Sequence, residues 1–206
     1  MSHPGKLLVF EGIDGTGKST QIQRLVDWLC ACGTRVIASR EPTDGPWGRK
    51  ILESAAVGRM PASEELECFL ADRREHVAST ILPALAEGTC VVLDRYYLSS
   101  MAYQGARGMD PAEIRRRNEE FAPMPDLVLW LDLPVELAMR RIGTRGEGDN
   151  AFEKRESLES CRRIFASLKG EPFMRRIDAA QSADDVFRDV RAAVSKVIPG
   201  LLAANS

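Results

Sequence analysis

The segment that most constrains this chain is an octapeptide near its start, Gly12-Ile13-Asp14-Gly15-Thr16-Gly17-Lys18-Ser19, set between an apolar run and a stretch of helical periodicity. The run before it, Leu7-Leu8-Val9-Phe10, reads as a buried strand. After it, Ile22, Leu25, Val26 and Leu29 recur at helical spacing as far as Gly33, a helix-ending residue. The glycines let the backbone wrap tightly, so that successive N–H groups point into one concavity, and the following helix adds its positive end. Such a cradle takes phosphate. The spacing G-x-x-x-x-G-K-[ST] brings Lys18 within reach of β- and γ-phosphates and offers the Ser19 hydroxyl to Mg²⁺. Gly12, Ile13, Asp14, Gly15, Thr16, Gly17, Lys18 and Ser19, with Thr20 behind them, are the candidate ATP-binding residues.

The remainder of the chain alternates short apolar runs with longer helical stretches, the pattern of a parallel sheet joined by crossover helices. Strands are expected at Arg35-Val36-Ile37-Ala38, Cys90-Val91-Val92-Leu93, Leu127-Val128-Leu129-Trp130-Leu131 and from Met174 to Ile177. With the first run they make an α/β, P-loop NTPase fold: a parallel five-stranded sheet flanked by helices on both faces. Helices are expected over Ser63–Glu87 with a kink or break at Pro83, and over Pro111–Phe121, Val135–Ile142, Glu153–Leu168 and Ala183–Val197. No repeat or linker divides the chain, and 206 residues suit one domain.

Composition excludes several classes. A net charge of -2 argues against a general nucleic-acid binder, and no segment nears the apolar length of a membrane span. Five cysteines, odd in number and without a Cys-x-x-Cys, with only two histidines, support neither disulfides nor zinc. They read as reduced, mostly buried thiols. The first residues have no basic stretch followed by an apolar run, so the expected location is the cytoplasm.

A phosphate loop alone does not name a reaction, since GTPase switches, motors, ATP-driven regulators and small-molecule kinases share it. No Asn-Lys-x-Asp for guanine accompanies it. Asp94-Arg95-Tyr96 follows the third strand, and beyond strand carboxyl ends is where ligands of open α/β sheets bind. Asp94 could hold Mg²⁺ and Arg95 could clamp a phosphate; the plain alternative is a helix-start Asp beside a surface Arg.

The triplet continues as Tyr97-Leu98-Ser99-Ser100-Met101-Ala102-Tyr103-Gln104-Gly105. Together with the loop, with Arg40-Glu41-Pro42, Phe69-Leu70-Ala71-Asp72-Arg73, Pro125-Asp126-Leu127 and Arg145-Gly146-Glu147, it resembles the thymidylate kinase family over nearly the whole chain. The resemblance implies a single nucleoside monophosphate kinase domain over residues 1–206 with a helical lid near 141–155. It would move the γ-phosphoryl group of ATP to dTMP with Mg²⁺, as a homodimer packed through helices.

Phe69 resembles the aromatic that stacks on thymine, although a core position is the equal alternative from the residue alone. Arg73 resembles the donor to the base's exocyclic oxygen, and Ser99, Ser100 and Gln104 the residues that complete acceptor binding. Tyr103 resembles the residue crowding the ribose 2′ position. Arg95 would hold the acceptor phosphate, with Asp14 beside it, and Arg40 and Glu41 belong to the same acceptor site. Lys18, Arg95, Asp14, Arg141 and Arg145 are the candidate catalytic residues, and Ser19 and Asp94 the candidate metal ligands.

Two departures stand out. Leu52 occupies the position of a phosphate-binding Arg in the family, with Arg49 one helical turn earlier as a possible substitute. Gly15 stands where some members carry a catalytic Arg; in members without it, basic lid residues serve. Arg141 and Arg145 are then the candidates, with Lys154 and Arg155 behind them. The alternative for Arg140, Arg141 and Arg145 is a solvated basic face.

Overall fold

In a computed structural model, residues 4–143, 151–198 and 201 are described, without the side chains of 151–154. Five strands form one parallel sheet in the order β2-β3-β1-β4-β5: β1 (Leu7–Glu11), β2 (Val36–Arg40), β3 (Cys90–Asp94), β4 (Leu127–Asp132) and β5 (Met174–Asp178). Four run one residue beyond the expected apolar stretch, while β2 starts one residue later, at Val36, and runs two beyond; each ends on a charged side chain: Glu11, Arg40, Asp94, Asp132 or Asp178. These charges lie together at the carboxyl end of the parallel sheet: Arg40 and Asp178 are exposed and Asp94 is half-buried, while Glu11 and Asp132 are buried against hydrogen-bond donors.

The apolar runs of β1, β3 and β4 are buried throughout, while the edge strands β2 and β5 are only partly covered. Nine helices are described: α1 (Lys18–Ala31), α2 (Pro46–Val57), α3 (Ala62–His76), α4 (Leu82–Ala86), α5 (Tyr97–Gly105), α6 (Pro111–Glu119), α7 (Val135–Gly143), α8 (Ala151–Ser167) and α9 (Ala183–Val194). Right-handed crossovers from a central β1 send α1 to one face and the segments after β2, β3 and β4 to the other. On the first face α9 joins α1; on the second α5 packs on α8, whose Phe165 stacks on Trp130 of β4 with ring centroids 6.4 Å apart.

The long helix expected over 63–87 is broken in a specific way. α3 ends at His76, Val77–Ile81 form a π-helical turn, and α4 carries Pro83 in its first turn. Pro83 has no N–H to donate and its ring would strike the carbonyl four residues back; the wider π-helical turn accommodates both. The start lies at Pro61, which stands in the capping position, so Ser63 falls within the first turn and is not the cap. Helix α2 was not among the helices expected from pattern, and α5 was recognised only as a motif. Three of the five cysteines are buried as expected, whereas Cys30 is exposed and Cys32 half-buried at the end of α1. Among the described residues no helix is long and apolar enough to cross a membrane.

Leu129, at the centre of β4, is wholly buried between the two helical layers. Leu129→Ala is expected to lower unfolding free energy by about 2–5 kcal/mol, read as a lower urea midpoint with an unchanged slope.

Candidate functional site

The carboxyl ends of β1, β2 and β3 open on a cleft of about 570 Å³. Asp14, Gly15, Gly17, Lys18, Ser19 and Thr20 line one side. Arg40, Glu41, Asp94 and Arg95 line the other, and Arg141 overhangs from α7. Lys18 is buried and donates to the carbonyls of Gly12 and Ile13 at 3.1 and 3.2 Å. Burial, then the nearby Arg95, pushes its ammonium down to about 8, against the carboxylates of Asp94, Asp14 and Glu11. Thr16 closes the loop from within, its hydroxyl donating to Ile13 O at 3.0 Å. Gly12 and Ile13 are buried beneath the same turn.

Arg95 has the left-handed φ of 70°, uncommon for a side-chain-bearing residue. This conformation turns its guanidinium back over the loop. Nη2 meets Asp14 Oδ1 at 2.5 Å, and Nη1 donates to Ser99 Oγ at 3.1 Å and Gly12 O at 3.3 Å. The Tyr103 ring lies 5.0 Å below the guanidinium. The conformation is held by Glu11, which pattern reading passed over. Its Oε1 accepts from the backbone N–H of Tyr96 (2.9 Å) and of Ser99 (3.0 Å), and Oε2 from the Ser99 hydroxyl (2.6 Å). Its signal in the sequence was a carboxylate directly after a run buried on both faces. Ser99, expected near the acceptor, is thus tied to Glu11 and Arg95.

Ser19 Oγ lies 3.4 Å from Asp94 Oδ2, and Asp94 Oδ1 is buried with no partner among the described residues. Two hard oxygen donors, one of them unpartnered, fit Mg²⁺, which usually takes one or two carboxylates and completes its shell with water and phosphate. No cluster of three or more His, Cys, Asp or Glu suited to a metal occurs among the described residues.

The second group of expected residues meets between α3 and α5. Arg73, 1% exposed, donates to Glu41 Oε2 (2.6 Å), Asn118 Oδ1 (2.5 Å) and Ser100 Oγ (3.2 Å). His76 Nδ1 meets the other oxygen of Glu41 at 3.1 Å. One turn from Arg73, Phe69 is only half-buried, so it is not a closed core position. Tyr103 OH and Gln104 Oε1 are buried without partners among the described residues. Asn118 and His76 carried no readable motif, and Asp72, inside the Phe69–Arg73 motif, had no role read for it; it takes Thr43 N at 2.8 Å and Thr43 Oγ1 at 2.6 Å.

The departures resolve in space. A Cβ at Gly15, whose φ is 83°, would stand 2.9 Å from Ala138 O of α7, so the loop has no room for a side chain there. Arg141 occupies the vicinity instead, donating to Gly15 O at 3.3 Å and Ala179 O at 3.1 Å. Leu52, half-exposed, lines the cleft. Arg49 does not line it: its Nη1 donates to Asp44 O at 2.7 Å, while Arg40 reaches the cleft and pairs with Asp44 at 2.7 Å. Arg155 pairs with Glu136 at 3.3 Å. Arg145 and most of the expected lid lie outside the described residues, as does the side chain of Lys154.

Comparison with known proteins supplies an independent line. The family model described as thymidylate kinase matches residues 10–190. A thymidylate kinase of Akkermansia muciniphila is 55% identical over 200 residues, covering 97% of this chain and 96% of its own length. One of Desulfotalea psychrophila is 52% identical over 199 residues, covering 96% and 98%. One of Xanthomonas euvesicatoria is 47% identical over 204 residues, covering 98% and 89%.

Burial pushes the Glu11 carboxyl up to about 7, against the hydrogen bond from Ser99, the charge of Arg95, the Tyr96 N–H and the charge of Lys18. Between the ordinary value of 4.5 and about 7 the folded chain then holds a proton that the unfolded chain has released, so stability falls as pH rises through that window. Glu11→Gln is expected to flatten this fall. Urea titrations at pH 4.5 and 7.5 should show the variant gaining about 3 kcal/mol relative to the parent at the higher pH.

Proposed function

The chain belongs to the thymidylate kinase family, and on that premise we propose that it transfers the γ-phosphoryl group of ATP to dTMP, giving dTDP and ADP, through the residues gathered at this cleft. The observation that carries the reading is the meeting of the phosphate loop, through Asp14, with Arg95 in one cleft that Asp94, its Oδ1 unpartnered among the described residues, also lines.

ATP enters with its phosphates on the N–H groups of residues 12–20, at the N-terminus of α1. Lys18 leaves its carbonyl partners to bind the β- and γ-phosphates. The dTMP phosphate lies on Arg95 with Arg40 beside it, and Asp14 orients the Arg95 fork. Ser99 keeps Arg95 in place. The base lies between α3 and α5, stacked on Phe69, with Arg73 donating to its exocyclic oxygen and Ser100 and Gln104 completing the contacts. Tyr103 crowds the ribose 2′ position, favouring deoxynucleotides. Glu41 holds Arg73 in position.

An oxygen of the dTMP phosphate attacks the γ-phosphorus directly, the bond from that phosphorus to the β–γ bridging oxygen breaks, and ADP leaves. No covalent enzyme intermediate is needed. Charge on the equatorial oxygens is offset by Lys18, Arg95 and Arg141, and by Arg145 from the lid. Ser19 and Asp94 are the residues that would hold Mg²⁺, which when bound would offset negative charge on the phosphates. A cytoplasmic location and a homodimer packed through helices complete the proposal. The exposed Trp47 and Val57 of α2 are apolar surface that such packing would cover.

Lys18→Ala is expected to lower turnover by about 10²–10³-fold or more in a coupled ADP-release assay. Near-normal turnover would remove the loop from the mechanism. Across the common nucleoside monophosphates, dTMP should be the preferred acceptor, with dUMP next; a clear preference for any other base would overturn the substrate assignment.

A further inference from the structure

Glu65, in the first turn of α3, takes no part in the mechanism above, yet it is 2% exposed and surrounded by donors. Arg59 Nε reaches its Oε1 at 2.8 Å, and its Oε2 takes Arg59 Nη2 at 3.2 Å, Arg107 Nη1 at 2.6 Å and Gln104 Nε2 at 2.8 Å. Burial would raise its carboxyl, but hydrogen bonds from Arg59 and Gln104 and the charges of Arg59 and Arg107 outweigh it and hold the group below its ordinary value. The group is therefore an anion at neutral pH, able only to accept.

That property dictates the pose of its neighbour. A primary amide has a donor end and an acceptor end of nearly equal size, and what decides between them is the partner. Facing a carboxylate, Gln104 must present its nitrogen, which turns its carbonyl away. Gln104 is wholly buried and that carbonyl oxygen, Oε1, has no partner among the described residues. A buried carbonyl left unpaired destabilises the fold, and a ligand's N–H recovers that loss. Ser100, one turn earlier on α5, already accepts from Arg73 Nη2 across the α3–α5 contact.

We propose that Glu65 is a positioning residue for base selection: by holding the Gln104 nitrogen it aims Gln104 Oε1 at the acceptor base, selecting a pyrimidine with an N3–H over one with a bare N3. This rests on the placement of the base between α3 and α5 given above. Thymine and uracil donate N3–H to that oxygen; cytosine presents a lone pair to it and is repelled. A site built around a substrate's N–H rejects the analogue that lacks it far more strongly than a pocket reading shape alone.

The test is Glu65→Gln, which puts a donor and an acceptor opposite Gln104 and lets its amide turn over. Steady-state kinetics with dTMP and dCMP should show kcat/KM for dTMP falling tenfold or more, chiefly through KM, with KM for ATP unchanged. The ratio of dTMP to dCMP efficiency should shrink by at least tenfold. Arg107→Ala removes another partner of Glu65 while leaving the Gln104 contact; it should lower Tm and leave the ratio as it was. If Glu65→Gln behaves like Arg107→Ala, with Tm lowered and the ratio unchanged, Glu65 is structural only and the inference fails. Should Glu65→Gln not fold, the exchange E65Q/Q104E keeps the charge and the hydrogen bond and presents only acceptors at position 104. It is expected to retain the dTMP preference, and loss of that preference overturns the inference. A parent enzyme that does not prefer dTMP over dCMP would instead overturn the substrate assignment, before any variant is compared.

Discussion

A single buried carboxylate ties the site to the sheet. Glu11 ends the central strand, inside the core, and accepts three hydrogen bonds from the junction of β3 and α5. Taking a carboxyl out of water is costly, and donors at a helix N-terminus, where negative charge is favoured, offset only part of that cost. Because the donors belong to Tyr96 and Ser99, the backbone between β3 and α5 is held on both sides of Arg95, which keeps its left-handed φ. Ser99 then accepts from Arg95, and Arg95 reaches Asp14 and Gly12. The phosphate loop and the acceptor segment, more than eighty residues apart in sequence, become one rigid unit through this chain of contacts.

Positive charge around the cleft is distributed by packing. Gly15 sits so close to the backbone of α7 that no side chain fits there, and α7 supplies Arg141 at that place. On the opposite side Leu52 contributes apolar surface to the cleft, and the neighbouring cation is Arg40 from the end of β2. Both shifts follow from the same fact: a guanidinium on a long side chain can reach one location from several backbone positions, provided the intervening space is open.

Helix α3 shows how polar groups can be buried when each is paired. Arg73, Asp72, His76 and Glu65 all lie inside, and each meets partners from another element: Glu41, Asn118, Thr43, Ser39, Gln104 and Arg107. A half-satisfied network of this kind would destabilise the fold. Here the unpartnered atoms are few, and Asp94 Oδ1, Tyr103 OH and Gln104 Oε1 among them fall within the candidate site.

Local pattern was enough to determine the five parallel strands, the phosphate loop and the position of Asp94-Arg95-Tyr96 at the carboxyl end of β3, since periodicity and glycine spacing act over a few residues. The strand ends lie one residue beyond the reading, two for β2, because a terminal polar residue looks like a turn until its end of the sheet is known. The tertiary structure alone decided that Arg40 and not Arg49 faces the cleft, that Arg141 stands over Gly15, and that Ser99 braces Arg95. It alone revealed Glu11, Glu65 and Asn118. Their roles depend on partners dozens of residues away, and a hydrogen bond has meaning only at a distance and angle that folding creates.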